Sequence, residues 1–231
     1  MQSITNRIDG KVALITGAGR GIGRAIAIAL AKAGCEVCIT ARSSDQLVAV
    51  QKEIYAVKGK ATPIQADLTR DDDLESLVQS SGPVDFLINN AGWGKRAPVV
   101  SAKIQDWDQT FRVNLRAPMI LAQKFLPAMI EKGEGAVINI GSVSGKSGEA
   151  NGAAYSASKF GLIGFTQSLF EEVREHNIKV AVILPGFVDT PMIPPVKHLD
   201  RGKMIQADDV AEAVLYILDA PATACPVEIT I

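Results

Sequence analysis

The sequence predicts an α/β protein built on a parallel sheet doubly wound by helices on both faces. Three observations carry that prediction. Short apolar runs rich in β-branched residues alternate with stretches of helical period along the chain. The strand-like runs are apolar at successive positions, as strands covered on both faces are. The first such run also leads through a glycine-rich loop directly into a helix, the arrangement with which these sheets hold ligands.

The elements follow in order. "KVALIT" (11–16) reads as a strand and "GIGRAIAIALAKAG" (21–34) as a helix stopped by Gly34. "EVCITA" (36–41) is strand-like, "DQLVAVQKEIYAVKG" (45–59) helical and "ATPIQAD" (61–67) a strand. "TRDDDLESLVQS" (69–80) reads as a helix with Thr69 as N-cap. Its three aspartates complement the helix dipole and form a solvated face rather than a metal site. "VDFLINN" (84–90) is the fourth strand, followed by one long helix over 104–131. "GAVINIGS" (135–142), "IKVAVILPG" (178–186) and "PVEITI" (226–231) complete seven strands, with helices over 152–175 and 207–220. No linker divides the pattern, so one domain over 1–231 is expected. The proline-rich stretch 185–199 reads as a surface loop over a site.

Composition narrows the class. The 231 residues are 47% hydrophobic and 21% charged, which supports a large core. The net charge of −1, with no basic patch interleaved with aromatics, gives no reason to expect nucleic acid. Cys35 and Cys38 have C-x-x-C spacing but sit in an apolar run without a second Cys/His pair, so buried thiols are expected and no metal. No secretion leader and no run of ~20 apolar residues is visible, which predicts a cytoplasmic protein without a membrane span.

The glycine loop "TGAGRGIG" (16–23) does not fit G-x-G-x-x-G but reads T-G-x-x-x-G-x-G. Glycines allow a tight turn and close backbone approach, and the helix N-terminus offers N–H groups to a pyrophosphate. Past the second strand no acid occupies Thr40, Ala41 or Arg42, and Arg20 lies in the loop. Two guanidiniums suit the 2′-phosphate of NADP(H) and favour it over NAD(H). The alternative is a solvated Arg42 with Asp45 on the ribose of NAD.

Tyr155 and Lys159 are four residues apart on one predicted helix face. A nearby ammonium favours the phenolate, making the phenol useful for proton transfer at a carbinol oxygen. Ser142 follows the fifth strand at the ligand-binding edge and offers a hydroxyl to a carbonyl. Ser144 and Ser147 read as loop polarity.

With "NNAG" at Asn89–Gly92, Asn114 in "VNL" and "PGFVDT" at 185–190, the chain resembles a short-chain dehydrogenase/reductase over nearly its whole length. The resemblance implies a Rossmann fold with a seven-stranded parallel sheet. It implies a catalytic tetrad of Asn114, Ser142, Tyr155 and Lys159. It further implies cofactor contacts from Gly17, Gly19, Arg20, Gly21, Ile22, Gly23, Arg42, Asp67 and Leu68, then from Asn90, Ala91, Gly92, Tyr155, Lys159, Pro185, Gly186, Val188 and Thr190. Among these, Asp67 would meet adenine, Asn90 the ribose, and Val188 and Thr190 the carboxamide. Pro118 has no N–H for the Asn114 carbonyl, which the resemblance casts as the seat of a proton-relaying water. The flavour is similar to 3-oxoacyl-[acyl-carrier-protein] reductases of fatty acid biosynthesis. That implies NADPH-dependent reduction of a small-molecule carbonyl, with Trp93 and Phe187 as apolar contacts, in a homodimer or homotetramer. An oxidative alcohol, sugar or steroid dehydrogenase and a non-catalytic redox-sensing module are the alternatives.

Overall fold

The computed structural model describes residues 7–191, 200–221 and 223–231. These form strands β1 (Val12–Thr16), β2 (Glu36–Ala41), β3 (Lys60–Gln65), β4 (Phe86–Asn89), β5 (Gly135–Ile140), β6 (Ile178–Leu184) and β7 (Glu228–Thr230). All pairings are parallel and the order is β3-β2-β1-β4-β5-β6-β7. This is the doubly wound Rossmann arrangement that the alternation predicts. The chain winds outward from β1 in one direction and from β4 in the other, which opens a crevice beyond the C-terminal ends of those two strands.

Seven α-helices cover the sheet: α1 (Gly21–Lys32), α2 (Ser44–Ala56), α3 (Asp71–Ser81), α4 (Ile104–Phe111), α5 (Ala117–Lys132), α6 (Ala153–Val173) and α7 (Ala207–Asp219). Strand parity decides which layer each side chain joins. Ala13 and Ile15 of β1, Phe86 and Ile88 of β4, and Ala136 and Ile138 of β5 face α1, α2 and α7, where Ile26, Leu30, Leu47, Val50, Val214 and Ile217 pack. Leu14, Leu87 and Val137 face the opposite layer, with Leu74 and Leu77 of α3, Leu121 and Phe125 of α5, and Leu169 of α6. Cys35 and Cys38 divide the same way, one in each layer. Both are buried free thiols, and burial pushes Cys35 up to about 12.

Two expected elements differ. Helix α3 is not capped by Thr69: it begins at Asp71 after Arg70, which makes no side-chain cap bond. Thr69 instead turns back, its backbone N–H and hydroxyl both donating to Asp67 Oδ1 at 3.0 and 2.8 Å. The local bond to an aspartate two residues earlier outcompetes the cap. The expected single helix over 104–131 is three segments, because a π turn over Arg112–Arg116 separates α4 from α5. There the Ala117 N–H reaches the Arg112 carbonyl five residues back, just before Pro118, which has no N–H. Of the predicted loop 185–199, positions 192–199 lie outside the described residues.

A buried polar chain fixes α6 to the sheet. Asn89 and Asn139 are register partners at the ends of β4 and β5. Asn89 donates to Asn139 Oδ1 at 2.9 Å, Asn139 donates to Thr166 Oγ1 at 2.8 Å, and the Thr166 hydroxyl donates to the Leu162 carbonyl at 2.7 Å. All three side chains are buried. Replacing Asn139 with Ala leaves the buried Asn89 amide N–H without its acceptor, while Thr166 keeps its bond to the Leu162 carbonyl. Urea unfolding is expected to show a loss of about 2 kcal/mol, from one unsatisfied buried group at roughly 1–3 kcal/mol.

Candidate active site

The crevice at the switch point holds a cavity of about 400 Å³. Gly17, Gly19, Arg20, Gly21 and Ile22 line it from the glycine loop, Thr40, Ala41, Arg42 and Ser43 from the end of β2, and Ala66, Asp67 and Leu68 from the end of β3. Asn90, Ala91, Gly92 and Trp93 line it after β4, Ile140 and Gly141 after β5, Tyr155 and Lys159 from α6, and Thr190 and Pro191 from the segment after β6. One continuous cleft thus brings the glycine loop and the Tyr/Lys pair together.

The loop is braced from behind. The Thr16 hydroxyl accepts from the backbone N–H groups of Asn90 and Ala91, both at 3.0 Å, and the Asn90 amide donates to the Thr16 carbonyl at 2.8 Å. Gly17 has φ +66°, and a Cβ there would lie 2.8 Å from Ala91 Cα. Gly23 does not line the cavity; it sits beneath the loop, where a Cβ would meet the Gly17 carbonyl oxygen at 2.5 Å. Side chains at these positions would fill the cradle or displace it, so the backbone is free to approach a pyrophosphate at the start of α1.

At the adenosine end, Arg20 and Arg42 are exposed and border the cavity, whereas Asp45 lies in the first turn of α2 and does not line it. Ser43 caps α2, accepting from the Gln46 N–H. The buried Thr40 hydroxyl has no partner among the described residues. Glycines without room for a Cβ at the start of α1 and two cations bordering the cleft fit a dinucleotide phosphate chain.

The other predicted contacts are placed less directly. Asp67 lines the cavity, with Oδ1 accepting from Thr69 and its backbone N–H donated to Asp73. Val188 is 4% exposed, packs in the core and does not line the cavity; its backbone bridges to Ile205. Pro185 and Gly186 do not line the cavity. Their backbones hold the sheet edge, through Val143 N–H to the Pro185 carbonyl at 3.1 Å and Gly186 N–H to the Ile231 carbonyl at 3.0 Å.

Asn114 is fully buried and lies behind the cleft. Its Oδ1 accepts from the Trp93 N–H at 2.8 Å, and its amide donates to the Trp93 carbonyl at 2.8 Å and to Ser158 Oγ at 3.0 Å. Ser158 in turn donates to the Tyr155 carbonyl at 2.7 Å. Asn114 therefore clamps the loop after β4 to the helix that carries Tyr155. Ser142 does not itself line the cavity; it stands beside the Tyr155 phenol, its hydroxyl accepting from the Ser144 N–H at 3.1 Å. Ser144 is not mere loop polarity: it is buried and donates to Glu149 Oε1 at 2.7 Å.

The electrostatics correct one expectation. The phenol of Tyr155 is pushed up, not down, and burial is the largest cause. The Ser142 side chain pulls it the other way, Glu149 adds to the rise and Arg96 opposes it. The Lys159 Nζ donates to the Ile140 carbonyl at 2.7 Å and lies over the Tyr155 ring, 5.8 Å from its centroid. Burial in turn lowers the Lys159 ammonium from 10.5 to about 8. Among the described residues no group of acidic, histidine or cysteine side chains could hold a metal, and no helix is long and apolar enough to cross a membrane.

Fold and cleft together define a dinucleotide-binding α/β oxidoreductase. Residues 11–199 match the model of the short chain dehydrogenase family. The chain is 34% identical over 224 residues to the 3-oxoacyl-[acyl-carrier-protein] reductase FabG of Thermotoga maritima, covering 91% of each. It is 35% identical over 225 residues to an uncharacterized oxidoreductase of Staphylococcus aureus strain MRSA252, covering 96% of each. The crystal structure of a metagenomic short-chain oxidoreductase in complex with NADP superposes with a TM-score of 0.86 at 37% identity, covering 98% of both chains. The chain belongs to the short-chain dehydrogenase/reductase family and is an NAD(P)-dependent enzyme of that kind.

The buried ammonium has a measurable signature. A lysine whose folded pKa is depressed binds fewer protons folded than unfolded between the two values, so stability rises with pH across that interval. Below pH 8 the full penalty is present; by 10.5 it is gone. Wild type is expected to gain up to about 3 kcal/mol over Lys159→Met between those pH values, at about 1.4 kcal/mol per pKa unit, in parallel denaturant titrations.

Proposed function

We propose that this enzyme reduces a ketone to a secondary alcohol with NADPH, the ketone being a 3-oxoacyl-like or related carbonyl, with Tyr155 as general acid. The observation that carries the reading is that Tyr155 and Lys159 line the same cleft as the glycine loop and the two arginines. The 34% identity to a 3-oxoacyl reductase supports the substrate class.

A dinucleotide held by the glycine loop, Arg20 and Arg42 would supply the hydride that the carbonyl carbon takes up. Tyr155 donates its proton to the carbonyl oxygen. A phenol is protonated at neutral pH and so stands in its donating form. Ser142, acting on the phenol, would orient the carbonyl. Lys159 uses one N–H on the Ile140 carbonyl and presents its head to the cleft, where it would hold the nicotinamide ribose and stabilise the phenolate left behind. Asn114 keeps Trp93 and the helix in register, and Pro118 withholds the α-helical donor from its carbonyl, which supports a water there carrying protons toward Lys159. Trp93, on the cavity wall, and the exposed Phe187 would contact the substrate. Arg20 and Arg42 would hold the 2′-phosphate. A cytoplasmic homodimer or homotetramer completes the reading.

Two outcomes test it. Tyr155→Phe is expected to lower turnover by roughly a thousandfold, within the range of lost general acid catalysis, while NADPH binding by fluorescence titration stays near wild type. Normal turnover in that variant overturns the assignment. Arg42→Ala is expected to raise the Kd for NADPH by about tenfold or more, the worth of a charge-assisted contact, and to leave the Kd for NADH unchanged.

A further inference from the structure

We propose that Arg96 and Glu149 are positioning residues for Tyr155: their ion pair, anchored on Ser144, draws the loop after β4 against the phenol ring and sets opposite charges beside it. This deepens the reading of Tyr155 as the acid and rests on it.

Three contacts build the latch. Arg96, in the loop after β4, pairs with Glu149, in the connection between β5 and α6. The buried Ser144 hydroxyl donates to the other carboxylate oxygen at 2.7 Å, so Glu149 is held from both sides. One residue beyond Arg96, the Ala97 N–H donates to the Asn151 carbonyl at 2.9 Å and joins the same two loops through the backbone. Two residues before Arg96, Gly94 stands against the Tyr155 ring: a Cβ there would lie 2.8 Å from Cδ2. The latch therefore holds against the ring a residue that has no side chain to clash with it. Asn114 fixes the near end of this loop at Trp93; the ion pair fixes the far end.

The latch is also electrostatic. The groups facing the phenol are Lys159 on its own helix, Ser142 at the end of β5, Glu149 in the following connection and Arg96 in the loop after β4. Glu149 disfavours the phenolate and Arg96 favours it. The Arg96 side chain is 65% exposed and that of Glu149 33%, so their contribution to global stability is small and their effect is local.

The chain has three tyrosines, so the ultraviolet difference between each variant and its own Tyr155→Phe counterpart isolates the Tyr155 phenolate. In substrate-free protein, Glu149→Gln is expected to move the titration midpoint down, and Arg96→Gln to move it up, each by about half a pH unit for a partly screened charge. Arg96→Lys, which keeps the charge, stays close to wild type. Loosened packing alone would shift both neutral variants in the same direction. A common direction, or no movement in either, overturns the proposal. The reductase reading is judged separately by ketone turnover: opposite shifts without turnover leave the latch standing and remove the reductase, whereas turnover without shifts does the reverse.

Discussion

The structure depends on keeping one ammonium out of water. Lys159 is buried in the helix beside the sheet, bonded to the Ile140 carbonyl and poised over an aromatic ring. Burying a cation is costly unless fixed dipoles stand ready for it. Helix α6 must therefore sit at one height and rotation on the sheet, and other buried polar contacts exist to hold it there. The Asn89–Asn139–Thr166 chain anchors its middle, and Asn114 with Ser158 anchors its first turns. Breaking either would leave buried polar groups without partners, so both penalise a slipped helix.

The cleft follows from the same constraint. Because the sheet order reverses between β1 and β4, the loops after these strands part, and the Thr16–Asn90 brace holds the glycine loop at that gap. Beyond it, the loop after β4 passes from the dinucleotide side to Tyr155, pinned first by Asn114 and then by Arg96. A single loop thus couples the position of the nucleotide floor to that of the phenol.

Much of this was legible in the sequence where the signal is local. The alternation of periods gave the sheet and its helices, the glycine spacing gave the loop, and Tyr155 and Lys159 declare themselves one turn apart. What stayed hidden depends on register. Asn89 meets Asn139 across 50 residues and Arg96 meets Glu149 across 53, and neither pair has a local pattern. Ser144 looked like loop polarity because its partner lies in a turn whose path the sequence does not show. Gly94 carries no local signal that the Tyr155 ring stands against it. Thr69 and the helix over 104–131 were misjudged for a different reason: Asp67 competed for the cap, and a π turn beside Pro118 interrupts a hydrophobic period that reads as continuous. The lowered phenol expected from i, i+4 spacing failed because burial of the ring, which the spacing does not show, pushes the phenol up.

The central claim, that the phenol over Lys159 shares one cleft with the dinucleotide, is tested most directly by carbon NMR of the protein labelled at tyrosine Cζ and titrated with NADP. Tyr55 and Tyr216 are exposed on α2 and α7 and do not line the cleft. The Tyr155 resonance is predicted to move with saturating occupancy while those two stay in place. Binding that leaves the Tyr155 signal unmoved would contradict the account.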